Sequence, residues 1–251
     1  MDSTAAFTGK ADIYAKYRPS YPADYLNYLF TECGLRDDSV IADIGAGTGI
    51  LTRQLLDRGL KVFAVEPNRD MRKAAERGLV GYHGFTSVNG TAEETGLPDE
   101  SVDLITSAQA FHWFDTEWFR TECIRILKPE AKAALVWNCR DDDSPMVREM
   151  DAVCRDLCPD FKGFSSGNRK NTEMLSRFFR DGIYVSGKFP NNLKYDWESF
   201  IGWSLSSSYA PRVGDPHYRE FADIYLDIFH KYAGNSHIVI PNYTQSYIGK
   251  V

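Results

Sequence analysis

Residues 40–49 run Val-Ile-Ala-Asp-Ile-Gly-Ala-Gly-Thr-Gly, a short apolar run that ends in three alternating glycines. The apolar run is too short for a helix and is typical of a buried strand. Helical spacing follows from Ile50 to Asp57, so this stretch predicts a strand, a glycine turn and a helix. Glycine at such a turn lets a ligand approach the backbone closely and permits a positive φ. We therefore expect a ligand at this turn.

Short apolar runs and amphipathic stretches alternate through the first half of the chain. Strands are predicted at 61–65, within 80–89, at 102–107 and at 131–138, and helices at 22–33, 71–77 and 116–126. Such alternation is typical of the α/β doubly wound fold, a mostly parallel sheet covered by helices on both faces. Two prolines, Pro19 and Pro22, bar a continuous helix through the aromatic-rich segment that precedes them.

The pattern changes after Arg140. Helices are predicted at 145–157, 171–180, 197–207 and 217–232, a surface loop at 163–170, and strands at 183–189, 237–240 and 243–248. We interpret residues 1–251 as a single domain with a cofactor-binding core at 7–140. Helical additions at 141–236 would form a substrate cap, and terminal strands at 237–251 would return to the edge of the sheet.

Composition narrows the function classes. The formal charge of −6 and the pI near 5.4 argue against nucleic acid as a partner, since that affinity needs clustered Lys and Arg. We therefore expect the partner to be a small molecule. The sequence has no run of about 18 apolar residues and no basic and apolar leader, so we expect a cytoplasmic protein without a membrane partner. The five cysteines are scattered without C-x-x-C spacing, so we expect reduced thiols and no metal.

Two acidic residues separate the cofactor classes that use a glycine turn. Glu66 ends the second predicted strand, where a carboxylate can accept both hydroxyls of a ribose. A dinucleotide fold expects G-x-G-x-x-G facing a pyrophosphate, whereas here the spacing is G-x-G-x-G. The carboxylate of Asp43, two residues before Gly45, would repel a pyrophosphate and attract a cation. This chemistry favours the sulfonium and ammonium of S-adenosylmethionine over a nicotinamide dinucleotide.

Several further motifs resemble those of one family. Residues 40–49 look like the first motif of class I methyltransferases, and Val65-Glu66-Pro67 resembles the second-motif acid with its proline. The segments 90–93, 97–98 and 101–103 resemble the ubiquinone-biosynthesis-like methyltransferases. Residues 107–115 and the arm 7–22 resemble the trans-aconitate-type subgroup, within methyltransferase type 11. The chain departs from the family at 128–131, where two glycines commonly follow the proline.

The resemblance implies a fold and a set of site residues. The fold would be a seven-stranded, mostly parallel sheet in the order 3-2-1-4-5-7-6 with strand 7 antiparallel, and with helical additions in the carboxyl half. Residues implied in binding S-adenosylmethionine are Asp43, Gly45, Ala46 and Gly47 at its amino-acid part, Glu66 and Pro67 at its ribose, Ala92 and Glu93 at its adenine, Ser107 and Gln109 near its methyl, and Tyr14 and Arg18 in the arm. Residues implied in substrate contact are Tyr17, His112 and Trp113.

Three side chains keep alternative interpretations. His112 is a packed histidine, a substrate contact or a general base. In the last of these roles it is the candidate catalytic residue. Trp113 belongs to the core or lies near the cofactor, where its ring would attract a sulfonium. Arg18 is a surface charge or pairs with a carboxylate of cofactor or substrate.

The predicted activity is methyl transfer to a small molecule, as O-methylation of a carboxylate or hydroxyl of an organic acid, by a monomer or homodimer. The alternatives are a catalytically silent cofactor-binding protein and a nicotinamide-dependent oxidoreductase.

Overall fold

A computed structural model describes residues 11–164 and 172–251. Its strands are β1 (Val40–Ile44), β2 (Lys61–Val65), β3 (Phe85–Val88), β4 (Val102–Ala108), β5 (Leu127–Arg140), β6 (Val185–Pro190), β7 (Leu193–Tyr195), β8 (Ile238–Ile240) and β9 (Asn242–Gly249). Its helices are α1 (Ala11–Tyr17), α2 (Ala23–Cys33), α3 (Ile50–Leu56), α4 (Arg69–Leu79), α5 (Thr116–Ile126), α6 (Pro145–Leu157), α7 (Thr172–Phe178), α8 (Trp197–Leu205) and α9 (Tyr218–Tyr232).

Seven strands form one twisted sheet in the order β3-β2-β1-β4-β5-β9-β6. The first five strands are parallel to one another, and β9 runs antiparallel between β5 and β6. The predicted fold class is therefore confirmed, with β9 as the seventh strand of the sheet. The carboxyl ends of the parallel strands share one edge, which is where ligands of open α/β sheets bind.

The terminal strands differ from the prediction. β9 lies inside the sheet and not at its edge, while β8 leaves the sheet and pairs with β7, a strand that the sequence pattern did not reveal. Ile238 and Ile240 are fully buried among the carboxyl-terminal helices, with Val239 half exposed between them. This alternation fits a two-stranded ribbon with one face on a helical core. Within 141–236 the strand predicted at 183–189 is β6, which lies on the main sheet beside β9.

Some predicted boundaries shift. Helix α1 occupies 11–17 and ends before Pro19, so the arm is partly helical. Strand β5 begins at Leu127, earlier than predicted, and Glu130 adopts φ 67° where the family commonly has glycine. Residues 1–10, with the start of the arm at Phe7, and 165–171, with most of the predicted loop, lie outside the described residues.

Apolar side chains form a core on each face of the sheet and a third among the carboxyl-terminal helices. Alternate residues of β1 supply the first two, with Ile41 on one face and Ala42 and Ile44 on the other. The third core joins α6, α8 and α9 to the ribbon of β7 and β8. Helix α1 lies against α8, where the ring of Tyr17 covers the backbone of Gly202. The helical core thus faces the carboxyl edge of the sheet through α1 and α8.

Helix α5 offers a test of the core that contains Ala42 and Ile44. Phe119 is fully buried and stacks on Phe178 with ring centroids 5.3 Å apart, whereas Trp118 beside it is 66% exposed. We expect Phe119→Ala to lower the free energy of unfolding by about 3 to 5 kcal/mol, because it leaves a cavity. Trp118→Ala should change it by less than about 0.5 kcal/mol. Urea denaturation measures both, and equal losses would contradict this packing.

Candidate functional site

The turn after β1 presents bare backbone at the carboxyl edge of the sheet. Gly45 and Gly47 have φ angles of 68° and 58°, in the left-handed region that favours glycine. A Cβ on Gly45 would lie 2.6 Å from Cβ of Ala110, so this glycine is needed for packing against the segment after β4. A Cβ on Gly47 would meet no protein atom within 4 Å. The open side of Gly47 therefore faces space that a ligand can occupy.

Glu66 connects the second strand to this turn. It follows β2, and its Oε2 accepts a hydrogen bond from the Gly47 amide at 2.8 Å while Oε1 accepts one from the Asn68 amide at 2.8 Å. Burial raises the pKa of this carboxyl, and the two backbone donors oppose that rise. The carboxylate thus holds the glycine turn in place and keeps further acceptor capacity for a ligand.

Asp43 is a buried acid in the same turn region. Its carboxylate accepts hydrogen bonds from Thr52 Oγ1 at 2.6 Å and Thr106 Oγ1 at 2.8 Å. Burial raises its pKa to about 6, although these bonds partly offset the loss of hydration. No basic side chain among the described residues pairs with it within 4.0 Å, so a cation beside it would stabilise its ionised form.

Two adjoining cavities open along the turn and share Tyr14, Gly45, Gly47, Ala108 and Gln109. The cavity that we call the Glu66 cavity holds about 170 Å³ and is also lined by Glu66, Pro67, Asn68, Met71, Thr91, Ala92, Glu93, Ala110, Trp113 and Phe114. The one that we call the arginine cavity holds about 60 Å³ and is also lined by Arg18, Pro19, Tyr21, Asp43, Ala46, Thr48, Ile50, Leu51, Asn138, Arg140, Leu193, Trp203 and Asn242.

Most predicted site residues come together around these cavities. The Glu66 cavity gathers the residues predicted for ribose and adenine, and the arginine cavity gathers Asp43, Ala46 and Arg18. Gln109 lines both, with a φ of 59° that is strained for a non-glycine residue. Its backbone amide donates to Val136 O at 2.9 Å and its side chain to Asn138 O at 3.1 Å, and these bonds hold it there.

Three predicted residues do not line either cavity. Ser107 is fully buried inside β4, and Tyr17 is directed to α8, where its hydroxyl donates to Glu198 at 2.8 Å. His112 accepts a long hydrogen bond of 3.5 Å from the Trp137 indole at Nδ1. Burial lowers the pKa of His112 to about 4, so its ring is neutral at pH 7.

Other lining residues were not singled out from the sequence. Asn138 ends the predicted fifth strand, so its place at the carboxyl edge could have been inferred from the strand pattern alone, and Arg140 follows it at the end of β5. Trp203 and Asn242 arrive from α8 and β9, which are distant in sequence. No local pattern indicates that these two reach the site.

Residues 42–135 match a methyltransferase domain. This domain contains the glycine turn, Glu66 and the strand β4 that borders both cavities. An uncharacterized methyltransferase of Mycobacterium tuberculosis is 38% identical over 152 residues, which cover 61% of this chain and 60% of the relative. A methyltransferase-like protein of Schizosaccharomyces pombe is 35% identical over 152 residues, covering 58% of this chain and 57% of the relative. The matches thus span less than two thirds of these relatives.

Solved structures extend the likeness of fold beyond the methyltransferase domain. A proposed type II methyltransferase from Anaeromyxobacter dehalogenans superposes with a TM-score of 0.68 at 22% identity, covering 93% of this chain and 98% of that one. A methyltransferase of Geobacter sulfurreducens bound to S-adenosyl-L-homocysteine gives a TM-score of 0.53 at 12% identity, over 95% and 96% of the chains. At these identities the likeness establishes the fold alone.

Two further features were searched over residues 11–164 and 172–251. These residues contain no group of three or more His, Cys, Asp and Glu side chains placed to hold a metal ion. None of the helices there has the length and apolar character needed to cross a bilayer.

The same substitution at the two glycines of the turn should lower the stability of the fold by different amounts. Gly45→Ala combines a left-handed φ with a clash, so we expect it to lower the free energy of unfolding by about 2 to 4 kcal/mol. Gly47→Ala adds only backbone strain, so it should cost about 1 to 2 kcal/mol. Thermal unfolding without ligand measures both. A larger loss at Gly47 would mean that the packing of Gly45 is misassigned.

Proposed function

We propose that this chain is an S-adenosylmethionine-dependent methyltransferase that methylates an oxygen of a small organic acid. The observation that carries the proposal is the pairing of the open Gly47 backbone with the Glu66 carboxylate beside a cavity that ends at Ala92 and Glu93. The match of residues 42–135 to a methyltransferase domain supports the same activity.

The two cavities fit the two ends of the cofactor. Glu66 would accept the ribose hydroxyls, and the segment at Ala92 and Glu93 would bind the adenine. Asp43 would stabilise the positive charge of the amino-acid end, and Arg18 would bind its carboxylate. The Trp113 ring, 39% exposed and lining the Glu66 cavity, would attract the sulfonium by a cation–π contact.

S-adenosylmethionine would supply the methyl carbon: a lone pair of the acceptor oxygen would form the O–C bond, and the electron pair of the breaking C–S bond would remain on sulfur and neutralise it. The residues around the cavities serve to orient the acceptor and exclude water. A carboxylate acceptor releases no proton and needs no base. This supports an acid over a phenol or amine, because His112, the one candidate base, does not line the cavities and is hydrogen-bonded at Nδ1.

The alternatives lack a supporting observation. A dinucleotide-binding turn expects G-x-G-x-x-G facing its pyrophosphate, whereas residues 45–49 have the spacing G-x-G-x-G. Tight binding of NADH without binding of S-adenosylmethionine would establish that alternative. A silent cofactor-binding protein would bind S-adenosylmethionine and give no product with any acceptor.

Cofactor binding can be tested by calorimetric titration with S-adenosylmethionine. We expect Glu66→Ala and Gly47→Val each to weaken binding at least about tenfold, or 1.4 kcal/mol, because one removes the ribose acceptor and the other fills the open space. Glu94→Ala removes an exposed acid in the neighbouring loop and should leave the affinity unchanged. Unchanged affinity in both site variants, with folding intact, would refute this placement.

Binding should also depend on pH through Asp43. Its folded pKa of about 6 lies above the unfolded value, so its contribution to apo stability is greatest at low pH and falls as pH rises through 6. A cation prefers the ionised carboxylate, so affinity for S-adenosylmethionine should rise about tenfold from pH 5 to 7. Asp43→Asn should flatten this dependence. Calorimetry at several pH values measures it, and an unaltered slope in the variant would exclude Asp43 as its cause.

The acceptor class needs its own assay. Transfer of labelled methyl to a panel of small carboxylic acids, phenols and transfer RNA should label acids and leave RNA unlabelled. Label in the RNA alone would reject the small-molecule proposal.

A further inference from the structure

Arg140 is a buried charge with no anionic partner among residues 11–164 and 172–251. It ends β5, is 9% exposed, and its guanidinium carbon lies 3.9 Å from the ring centroid of Phe164 and 4.3 Å from that of Trp203. Its side chain makes no hydrogen bond to the described residues, and Nε is fully buried. No described carboxylate lies within 4.0 Å of it. Buried guanidinium groups are normally paired, because ring faces do not replace hydrogen-bond acceptors.

The arginine cavity lies where such an acceptor could bind. Of the described residues that line it, Arg18 and Arg140 are basic and only Asp43 is acidic. The lining thus carries one positive charge in excess, and the proposed cofactor would add a sulfonium at its boundary. An additional anion is therefore favoured electrostatically in this cavity.

The two arginines differ in their partners. Arg18 already donates from Nη2 to Ser207 Oγ at 3.0 Å, lies over the Tyr14 ring, and belongs to the arm beside the glycine turn. It suits the carboxylate of the cofactor, as proposed above. Arg140 lines the same cavity beside Trp203, Leu193 and Asn242, residues that come from the carboxyl half of the chain. One cofactor carboxylate leaves one of the two guanidiniums unpaired.

We infer that Arg140 is the anion-binding residue for the methyl acceptor, and that it binds a carboxylate of that molecule between Trp203 and Asn242. The two aromatic rings fix the plane of the guanidinium, so its parallel N–H groups are oriented before the acceptor arrives. Methyl acceptors of this chain therefore carry a carboxylate. That the bound anion is the methyl acceptor rests on the proposed function, but anion binding itself can be measured without turnover.

The test is calorimetric binding of glutarate, benzoate and inorganic phosphate, with neutral glutaramide as the uncharged comparison, in the presence and absence of S-adenosylhomocysteine. Wild-type protein should bind at least one of the two carboxylates, and glutaramide at least tenfold more weakly than glutarate. Arg140→Gln should weaken carboxylate binding at least tenfold, and Arg140→Lys less, because it keeps the charge but loses the planar fork. Arg219→Gln, at an exposed position on α9, is the matched control and should change nothing.

The outcomes separate the anion site from the proposed function. Loss of carboxylate binding in Arg140→Gln, with unchanged affinity for S-adenosylhomocysteine and an unchanged melting temperature, supports the inference. It is overturned if wild type binds neither carboxylate, if glutaramide binds as well, if phosphate is preferred, or if Arg140→Gln and Arg140→Lys bind like wild type. Equal loss of cofactor affinity in both variants would assign Arg140 to the cofactor instead. Carboxylate binding without any binding of S-adenosylmethionine would reject the proposed function and leave the anion site standing.

Discussion

The hydrogen bond from the Gly47 amide to the Glu66 carboxylate holds the candidate site together. It connects the turn after β1 to the end of β2, and the same carboxylate accepts the Asn68 amide at the start of α4. Because a side chain on Gly45 would collide with Ala110, the turn can adopt this position only with glycine there. Two strands, one helix and an open stretch of backbone are thereby fixed relative to each other.

The sheet and the amino-terminal half of the site could be predicted from local patterns. Strands β1 and β2 and helices α5 and α6 have the predicted bounds, because each is a clear apolar run or amphipathic period. The fold class is confirmed by the strand order, and residues 42–135 match a methyltransferase domain. The roles of individual site residues remain predictions, although most of those residues line the two cavities.

The remaining parts depend on contacts between distant residues. The ribbon of β7 and β8 consists of two three-residue strands, too short for a periodic signal, and its place is set by burial on the helical core. Trp203 and Asn242 reach the arginine cavity only because α8 packs on α1 and β9 inserts beside β5. Ser107 and Tyr17 are next to site residues in sequence but line neither cavity, because sequence position does not fix the direction of a side chain.

Binding along the glycine turn can be followed through the backbone amide resonances of ¹⁵N-labelled protein as S-adenosylhomocysteine is added. If the nucleoside binds along the open turn, the Gly47, Ala92 and Trp113 amide resonances should shift together and saturate at one equilibrium constant, while those of the exposed face of α9 should not move. Saturable binding that leaves the Gly47 and Ala92 resonances unchanged, or an equal response to NADH, would show that S-adenosylhomocysteine does not bind at this turn as proposed.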